Sequence, residues 1–547
     1  MSRTYPVRRR LFAAIFRLGK PLTRDIVGDL DFAIPMPDGV ELLADRWAPR
    51  NAAADAPTVL VRTCYSRKDF WALVGRSYAE RGFQTVIVNS RGTFGSGGGP
   101  FYPMHHEHDD GLAVLDWVRA QPWYHGSMIL AGASYLGYTQ WAVAADAPDD
   151  VVAMHPHITS ARLAQTFSAS GALELDAAAR WSFFTARQEL PRANARVALG
   201  VDRRQLDQAL NTLPVNLIDS RTIGSSWPFY QDVIDRLEDD VRWDPWNRSV
   251  DVPHVRIPAS FVAGWYDAFL VDQLDDYVAI RAAGTPARLT IGPWTHMSFG
   301  TSVASIQDTL DWGGIQTGRR PAQDRAPVRV YVMGAREWQD FQTWPPQEAK
   351  STAWYLKRGR ALDSRPDAAA EPSAYRYDPA DPTPSVGGRL LLTGAGRKDN
   401  RGLEARDDVL TFTSKPLERD LRIVGDVSAE VWMTSSRPTW DLFVRVCDVD
   451  ARGRSHNVSD GLIRVTMQDG EPPTAPRLIR LRLAPTAQLF ARGHRLRVQV
   501  SSGAHPRFAR NLGTLEQQVG GTEFFAADQR IFHDAEHPST VWLPTLS

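Results

Sequence analysis

Ile129-Leu130-Ala131-Gly132-Ala133-Ser134-Tyr135-Leu136-Gly137-Tyr138 is the stretch whose reading decides the fold of this chain. A short apolar run ends in Gly-x-Ser-x-x-Gly, and a helix-compatible segment follows. Read physically, it is a strand that turns sharply into a helix with a serine at the apex. A serine in such a turn has a strained backbone and crowded surroundings, so its neighbours must be small. Gly132, Ala133 and Gly137 meet that need. A tight strand–helix turn with a capping serine gives the same local pattern, so the flanking sequence has to decide.

Working outward, Pro57-Thr58-Val59-Leu60-Val61-Arg62 and Gln84-Thr85-Val86-Ile87-Val88 read as buried strands. Residues 109–119 carry Leu112, Leu115 and Val118 at helical spacing. Strand, helix, strand and helix in this rhythm predict a mostly parallel sheet covered on both faces. From about 146 to 245 strand signals fade and helix formers dominate, as in residues 172–181, which predicts a helical insertion. Buried strands return at 257–264, 287–292 and 328–333. Beyond about 350 the chain changes class. Short alternating segments at 409–413, 421–424, 429–433, 442–446 and 496–500, separated by turn residues, predict an antiparallel sandwich or jelly roll.

A chain of 547 residues is too long for one core. With 43% hydrophobic and 23% charged residues it is globular in composition, and its formal net charge of zero gives no global field to draw in nucleic acid. Cys64 and Cys447, far apart in sequence, build neither a disulfide framework nor a thiolate zinc site, which fits a reducing compartment. Arg8-Arg9-Arg10 precedes an apolar run too short for a signal sequence and broken by Arg17. An amphipathic helix packed on the body is the expectation for residues 8–19, and no stretch is long and apolar enough to span a membrane.

A serine hydroxyl needs a base, and the base needs an orienting partner. A serine at a strand-to-helix apex resembles the nucleophile elbow of α/β-hydrolases, although the second glycine stands three residues after the serine instead of two. In those enzymes the chain order is nucleophile, acid, histidine. Ala263-Gly264-Trp265-Tyr266-Asp267 and Gly292-Pro293-Trp294-Thr295-His296 follow late strands, so Ser134, Asp267 and His296 satisfy it. His155 and His157 follow the plausible strand 151–154 and read as buried, hydrogen-bonded residues. The cluster His105-His106-Glu107-His108-Asp109-Asp110 invites a metal reading. Adjacent side chains of one loop do not all converge on an ion, however, and the expected role is an acidic N-terminus for the following helix.

The chain resembles the cocaine-esterase-like (CocE/NonD) hydrolases, relatives of the X-Pro dipeptidyl-peptidases and glutaryl acylases. The resemblance runs over nearly the whole length, through Val61-Arg62-Thr63-Cys64-Tyr65, Arg91-Gly92-Thr93-Phe94-Gly95-Ser96, the serine motif, both late loops, Trp344-Pro345-Pro346 and Arg507-Phe508-Ala509-Arg510-Asn511. It implies an α/β-hydrolase core (1–145 and 246–350), a helical cap (146–245) and an all-β C-terminal jelly-roll domain (351–547). It assigns Ser134 as nucleophile, His296 as base and Asp267 as its orienter. It implies an oxyanion hole made by the Tyr65 hydroxyl and the backbone N–H of Tyr135. Trp181 and Phe269 align loosely with aromatic acyl-pocket positions, and simple core packing explains them nearly as well. Met297 stands where the family often has glycine, and Cys64 where it tends to have a small or polar residue.

The expected function is a soluble, cytoplasmic serine hydrolase that cleaves carboxylic esters or amides through an acyl-enzyme, with no metal or organic cofactor. Its partner is a small-molecule ester or amide, with no nucleic acid and no stable membrane insertion; a homodimer is compatible. An X-Pro dipeptidyl-peptidase or amino-ester hydrolase would need carboxylates to anchor a substrate amine, for which Glu174, Asp176 and Glu189 are the acidic residues at hand. A non-catalytic carbohydrate- or protein-binding protein would have no need of the serine, aspartate and histidine together.

Overall fold

The computed structural model describes residues 5–190, 202–238, 246–515 and 518–546. The chain opens with helix α1 (Tyr5–Ile15), then strands β1 (Ile26–Pro35) and β2 (Glu41–Pro49). β3 (Thr58–Thr63), α2 (Phe70–Ala79), β4 (Gln84–Asn89), α3 (Glu107–Arg119), β5 (Met128–Leu130), α4 (Tyr135–Ala144) and β6 (Val151–Met154) follow. Every residue of β3 and β4 is buried, which is why both read as continuous apolar runs and not as alternation. The helix expected over residues 8–19 is α1, which starts three residues earlier and ends at Ile15. Beyond it, buried Phe16 stacks on Phe12 and meets Phe70 and Phe299 at ring-centre distances of 6.1 and 5.4 Å.

The chain divides into two compact units, one of residues 1–163, 243–264 and 272–327, the other of residues 164–242, 265–271 and 328–547. The second unit contains α5 (Leu175–Arg187), α6 (Arg203–Leu210), α7 (Ile218–Ile223) and α8 (Pro228–Asp235), within the span 146–245 read from sequence as helical, although β6 at its start belongs to the sheet. β7 (Ala259–Tyr266), α9 (Leu270–Ala282), β8 (Ala287–Thr295) and α10 (Phe299–Gln316) then complete the sheet-bearing part. Its strands run in the order β1-β2-β4-β3-β5-β6-β7-β8. The centre, β4-β3-β5-β6-β7, is parallel, as predicted. β1 and β2 add an antiparallel edge, so the sheet is mixed. β7 and β8 run two and three residues past their expected ends, through Tyr266 and Thr295.

In the second unit β9 (Val328–Val332) and β10 (Glu337–Phe341) form an antiparallel hairpin. The rest is all-β: β11 (Lys350–Lys357), β12 (Ala361–Asp363), β13 (Ser373–Tyr377), then, past the one-turn helix α11 (Arg401–Glu404), β14 (Leu410–Thr413), β15 (Leu421–Ser435) and β16 (Thr439–Val449). β17 (Ser455–Thr466), β18 (Arg477–Phe490), β19 (Arg495–Ser501), β20 (Ala527–Phe532) and β21 (Thr540–Leu546) complete it. The inward faces of β14, β15, β16, β18 and β19 supply most of one apolar core that includes Phe412, Val431, Leu442, Leu483 and Val498. Two expected strands, 421–424 and 429–433, are one: β15 shifts register against β18 between Gly425 and Val427, a bulge where a turn was read. The helical segment is fastened to this β part by backbone bonds, from Ala509 N–H to Leu173 O (2.9 Å) and from Asn216 N–H to Val519 O (3.0 Å).

Candidate active site

The turn at Ser134 has the strain its sequence predicts. Ser134 adopts φ 60° and ψ −126°, a conformation that a side chain rarely takes. Gly132 sits at φ 140°, and a Cβ there would come within 2.4 Å of Leu136 Cβ. A Cβ on Gly137 would meet Thr159 Cγ2 at the same distance. The strained serine is pegged from behind: its N–H donates to the carbonyl of His157 at 2.9 Å, while its own carbonyl accepts from Gly137 and Tyr138 as α4 begins.

His296 follows β8 directly and is buried, and its Nε2 lies 3.0 Å from Ser134 Oγ. The strand end that delivers it is tightly packed. The indole of Trp294 lies so close over Gly292 and Gly300 that a Cβ on either would collide with it. Met297, the departure noted beside the histidine, is 64% exposed and turns outward.

Tyr65 stands two residues past β3. β3 and β5 are adjacent and parallel, with Leu60 opposite Leu130, so Tyr65 and Ser134 leave the same edge of the sheet on neighbouring strands. Two residues that sequence reasoning passed over fix the Tyr65 turn. Asn89 Nδ2 donates to the carbonyls of Thr63 (3.2 Å) and Tyr65 (2.7 Å). Buried Arg67 donates to Asn89 Oδ1 (2.7 Å) and Phe94 O (3.0 Å). Their signal in the sequence is a polar residue where an apolar strand ends, Val88-Asn89-Ser90.

Beneath the elbow lies Glu107, first residue of α3. It is buried, ion-paired with Arg62, and accepts from Ser90 Oγ (2.9 Å) and the Tyr135 hydroxyl (2.8 Å). The same hydroxyl accepts the Met104 N–H at 2.9 Å. Burial, then the Glu107 charge, pushes the Tyr135 phenol well above its ordinary value, so it stays protonated and holds this bond. The same two causes push the Cys64 thiol well up, which makes it an inert buried thiol. The acidic start of α3 therefore does more than meet the helix dipole: Glu107 faces Arg62 and Asp110 faces Arg91.

Asp267 follows β7 directly, is fully buried, and its Oδ1 accepts the Phe269 N–H at 2.8 Å. Phe269 and Trp181 are buried as well. Trp181 packs against Phe167 and Phe229 with ring centres 6.1 and 5.0 Å away, the environment of a core residue of the second unit. The predicted residues that the first unit brings into direct contact are Ser134 and His296.

Among the described residues, one group of potential metal ligands converges: His155, His157 and Asp308. Asp308 Oδ2 is bonded by both rings, and Oδ1 by Ser260 Oγ (2.9 Å) and the Arg288 guanidinium (2.6 Å). A guanidinium already on the carboxylate opposes a cation there. The two histidines are buried and hydrogen-bonded, as their sequence context predicts.

Comparison with known proteins gives this geometry a family. Residues 38–298 match the X-Pro dipeptidyl-peptidase (S15 family) model, and residues 321–542 match that of the X-Pro dipeptidyl-peptidase C-terminal non-catalytic domain. Over 94% of this chain and 97% of the relative, it is 31% identical to a cocaine esterase of Rhodococcus sp. (strain MB1 Bresler). The chain belongs to the cocaine-esterase-like CocE/NonD hydrolases. Solved structures share the fold of this CocE/NonD chain at lower identity. An aminopeptidase from a marine sediment Thaumarchaeota archaeon has TM-score 0.81 at 21% identity, covering 96% of this chain and 97% of its own. An α-amino acid ester hydrolase has TM-score 0.79 at 21% identity, covering 96% and 98%. A hydrolase domain on a mixed sheet, followed by an all-β domain, is the CocE/NonD architecture seen here.

Proposed function

We propose that this protein is a serine hydrolase of carboxylic esters or amides, with esters preferred, acting through an acyl-enzyme. The observation that carries the proposal is the 3.0 Å contact between His296 Nε2 and Ser134 Oγ at a strained elbow. Ser134 attacks the substrate carbonyl, and His296 takes its proton and returns it to the leaving group. Asp267 orients the histidine. The Tyr65 hydroxyl and the Tyr135 N–H, at the N-terminus of α4, stabilise the tetrahedral oxyanion. Water then takes the place of the leaving group and regenerates the serine. The pinning of the Tyr135 side chain by Glu107 supports the role of its backbone. Trp181 and Phe269 remain the proposed acyl-pocket residues, with 146–245 as the cap, 1–145 and 246–350 as the catalytic domain and 351–547 as the jelly roll.

The 31% identity to a protein named cocaine esterase supports an ester substrate. So do two of the three candidate carboxylates of the helical segment, Glu174 and Asp176. A substrate amine needs an uncommitted anion, but Glu174 lies 3.5 Å from buried Arg507, and Asp176 is paired with Arg180. This weighs against an X-Pro peptidase or amino-ester reading. The buried free thiols of Cys64 and Cys447 suit the reducing cytoplasm. No described helix is long and apolar enough to cross a membrane.

The test is labelling with a fluorophosphonate, alongside turnover of short-chain aryl esters, acyl amides and X-Pro amides. Ser134→Ala is expected to abolish labelling and turnover while the circular dichroism spectrum is retained. A Ser134→Ala protein that labels at the parent rate removes Ser134 from the mechanism, and turnover confined to X-Pro amides replaces the ester reading.

A further inference from the structure

Behind the elbow lies a buried polar cluster that the mechanism above does not use. Asp308, in α10, accepts four hydrogen bonds. Oδ2 takes His155 Nδ1 (3.2 Å) and His157 Nε2 (3.0 Å); Oδ1 takes Ser260 Oγ (2.9 Å) and Arg288 Nη2 (2.6 Å). Arg288 Nε also donates to Ser260 Oγ at 2.8 Å. All five residues are buried. The remaining nitrogens, His155 Nε2 and His157 Nδ1, are buried without a hydrogen-bond partner. A buried N–H without a partner is costly, whereas a bare lone pair is less so. Each ring therefore turns an N–H toward Asp308. Burial pushes His155 down to about 4, in keeping with a neutral ring. The charge pair is Asp308 with Arg288, and the guanidinium and histidine bonds hold the carboxyl well below its ordinary value against the opposing effect of burial.

What this cluster touches gives it a second role. The carbonyl of His157 is the acceptor of the Ser134 N–H, and Ala133 forms a parallel bridge with His157. The residue whose side chain Asp308 grips is thus the residue whose backbone pegs the strained serine. On the other side, Arg288 lies in β8, the strand that ends immediately before His296, and α10, which carries Asp308, starts just beyond it. One carboxylate is bonded both to the support of Ser134 and to the elements that flank His296.

We propose that Asp308 is a positioning residue, tying the His157 segment behind Ser134 to β8 and α10 so that the Ser134–His296 distance is held. The proposal rests on the assignment of Ser134 as nucleophile and His296 as base. A core network that served stability alone would influence activity only through the fraction of folded protein. A positioning network changes the rate of the folded enzyme, because misplacement of reacting groups by about 1 Å costs up to ~10²-fold. Substrate binding elsewhere is untouched, so the effect falls on kcat and not on KM.

The experiment compares Asp308→Asn and Ser260→Ala with the parent, at a temperature where circular dichroism shows each to be folded. Ile34→Ala, in the edge strand β1, serves as a destabilised control. For Asp308→Asn the expected result is a fall in kcat on an aryl ester of roughly 10- to 100-fold. KM should stay within about twofold and fluorophosphonate labelling should slow in parallel. Ser260→Ala, which removes one of four donors, is expected to lose about 3- to 10-fold in kcat, and Ile34→Ala is expected to keep the parent kcat. Folded Asp308→Asn enzyme with kcat within about twofold of the parent overturns the proposal, as does an equal loss in Ile34→Ala. If Asp308→Asn does not fold, Ser260→Ala decides by the same criterion. Labelling of Ser134→Ala is the separate measurement on which the underlying assignment stands or falls.

Discussion

At the scale of single residues, the sharpest prediction concerns Tyr65. Its turn is locked by Asn89, held in turn by Arg67, through the Tyr65 carbonyl and not the side chain, so removing the hydroxyl leaves that lock intact. Tyr65→Phe should fold as the parent does, and its melting temperature should stay within a degree or two. An oxyanion donor acts mainly in the transition state, so kcat should fall by roughly 10²–10³ with little change in KM. A kcat within about threefold of the parent would return Tyr65 to a structural role. Ser134 and His296, which the structure brings to 3.0 Å, could be picked out from the sequence because a serine–histidine pair constrains residue type and chain order. The residues that hold them could not. Glu107 sits in a histidine-rich acidic run whose pattern says surface or metal, and only the three-dimensional neighbours Arg62, Ser90 and Tyr135 show that its carboxylate faces inward. Asp308 is more than a hundred and fifty positions from His157, a separation that no local pattern spans.

At the scale of elements, legibility followed burial. β3 and β4, wholly buried and bounded by turn residues, were placed to within a residue or two. β18 was not anticipated because Pro485 interrupts it, and proline inside a sheet removes a donor. The structure accommodates Pro485 at the register shift opposite Asp426, where the ladder is already broken. The same shift makes Gly425-Asp426 look like a turn between two strands. The N-terminal helix was anticipated as a packed amphipathic element, and its packing has a testable consequence. Phe16 is buried against Phe12, Phe70 and Phe299, and its carbonyl accepts Gln307 Nε2 at 2.9 Å. Phe16→Ala should destabilise the protein by about 3–5 kcal/mol, the range for buried aromatic truncation. Chemical denaturation of the parent and the variant measures it, and a loss below about 1 kcal/mol would mean that the helix docks only loosely.

At the scale of the whole molecule, buried titrating groups make stability answer to pH, and three of them, His155, His505 and Asp276, do not act in one direction. Burial lowers His155 to about 4; burial, then the Arg510 charge, lowers His505 to about 4 as well. In the unfolded chain each takes a proton near 6.5, so between about 6.5 and 4 the unfolded state binds more protons and stability falls as pH falls. Asp276 does the reverse. Burial raises its carboxyl to about 7, partly offset by the Ala161 N–H that it accepts at 2.7 Å. The native state then holds a proton that the unfolded chain has already released, from about pH 4 up to about 7. The stability from that proton is complete below the unfolded value and is lost as pH rises through 7. Each pKa unit is worth about 1.4 kcal/mol, so each group contributes on the order of 4 kcal/mol across its window, and Asp276 offsets about one of the two histidines. Asp276→Asn keeps an oxygen for the Ala161 N–H and removes the ionisation. Relative to the parent, it should therefore gain stability between pH 5 and pH 8, and the parent's own acid sensitivity should be shallower than the variant's. Because unfolding of a chain with two units need not be two-state, the quantity to compare is the difference in melting temperature between variant and parent at each pH. A difference several degrees larger at pH 8 than at pH 5 is expected. An equal difference at both would show that Asp276 ionises as an ordinary carboxylate.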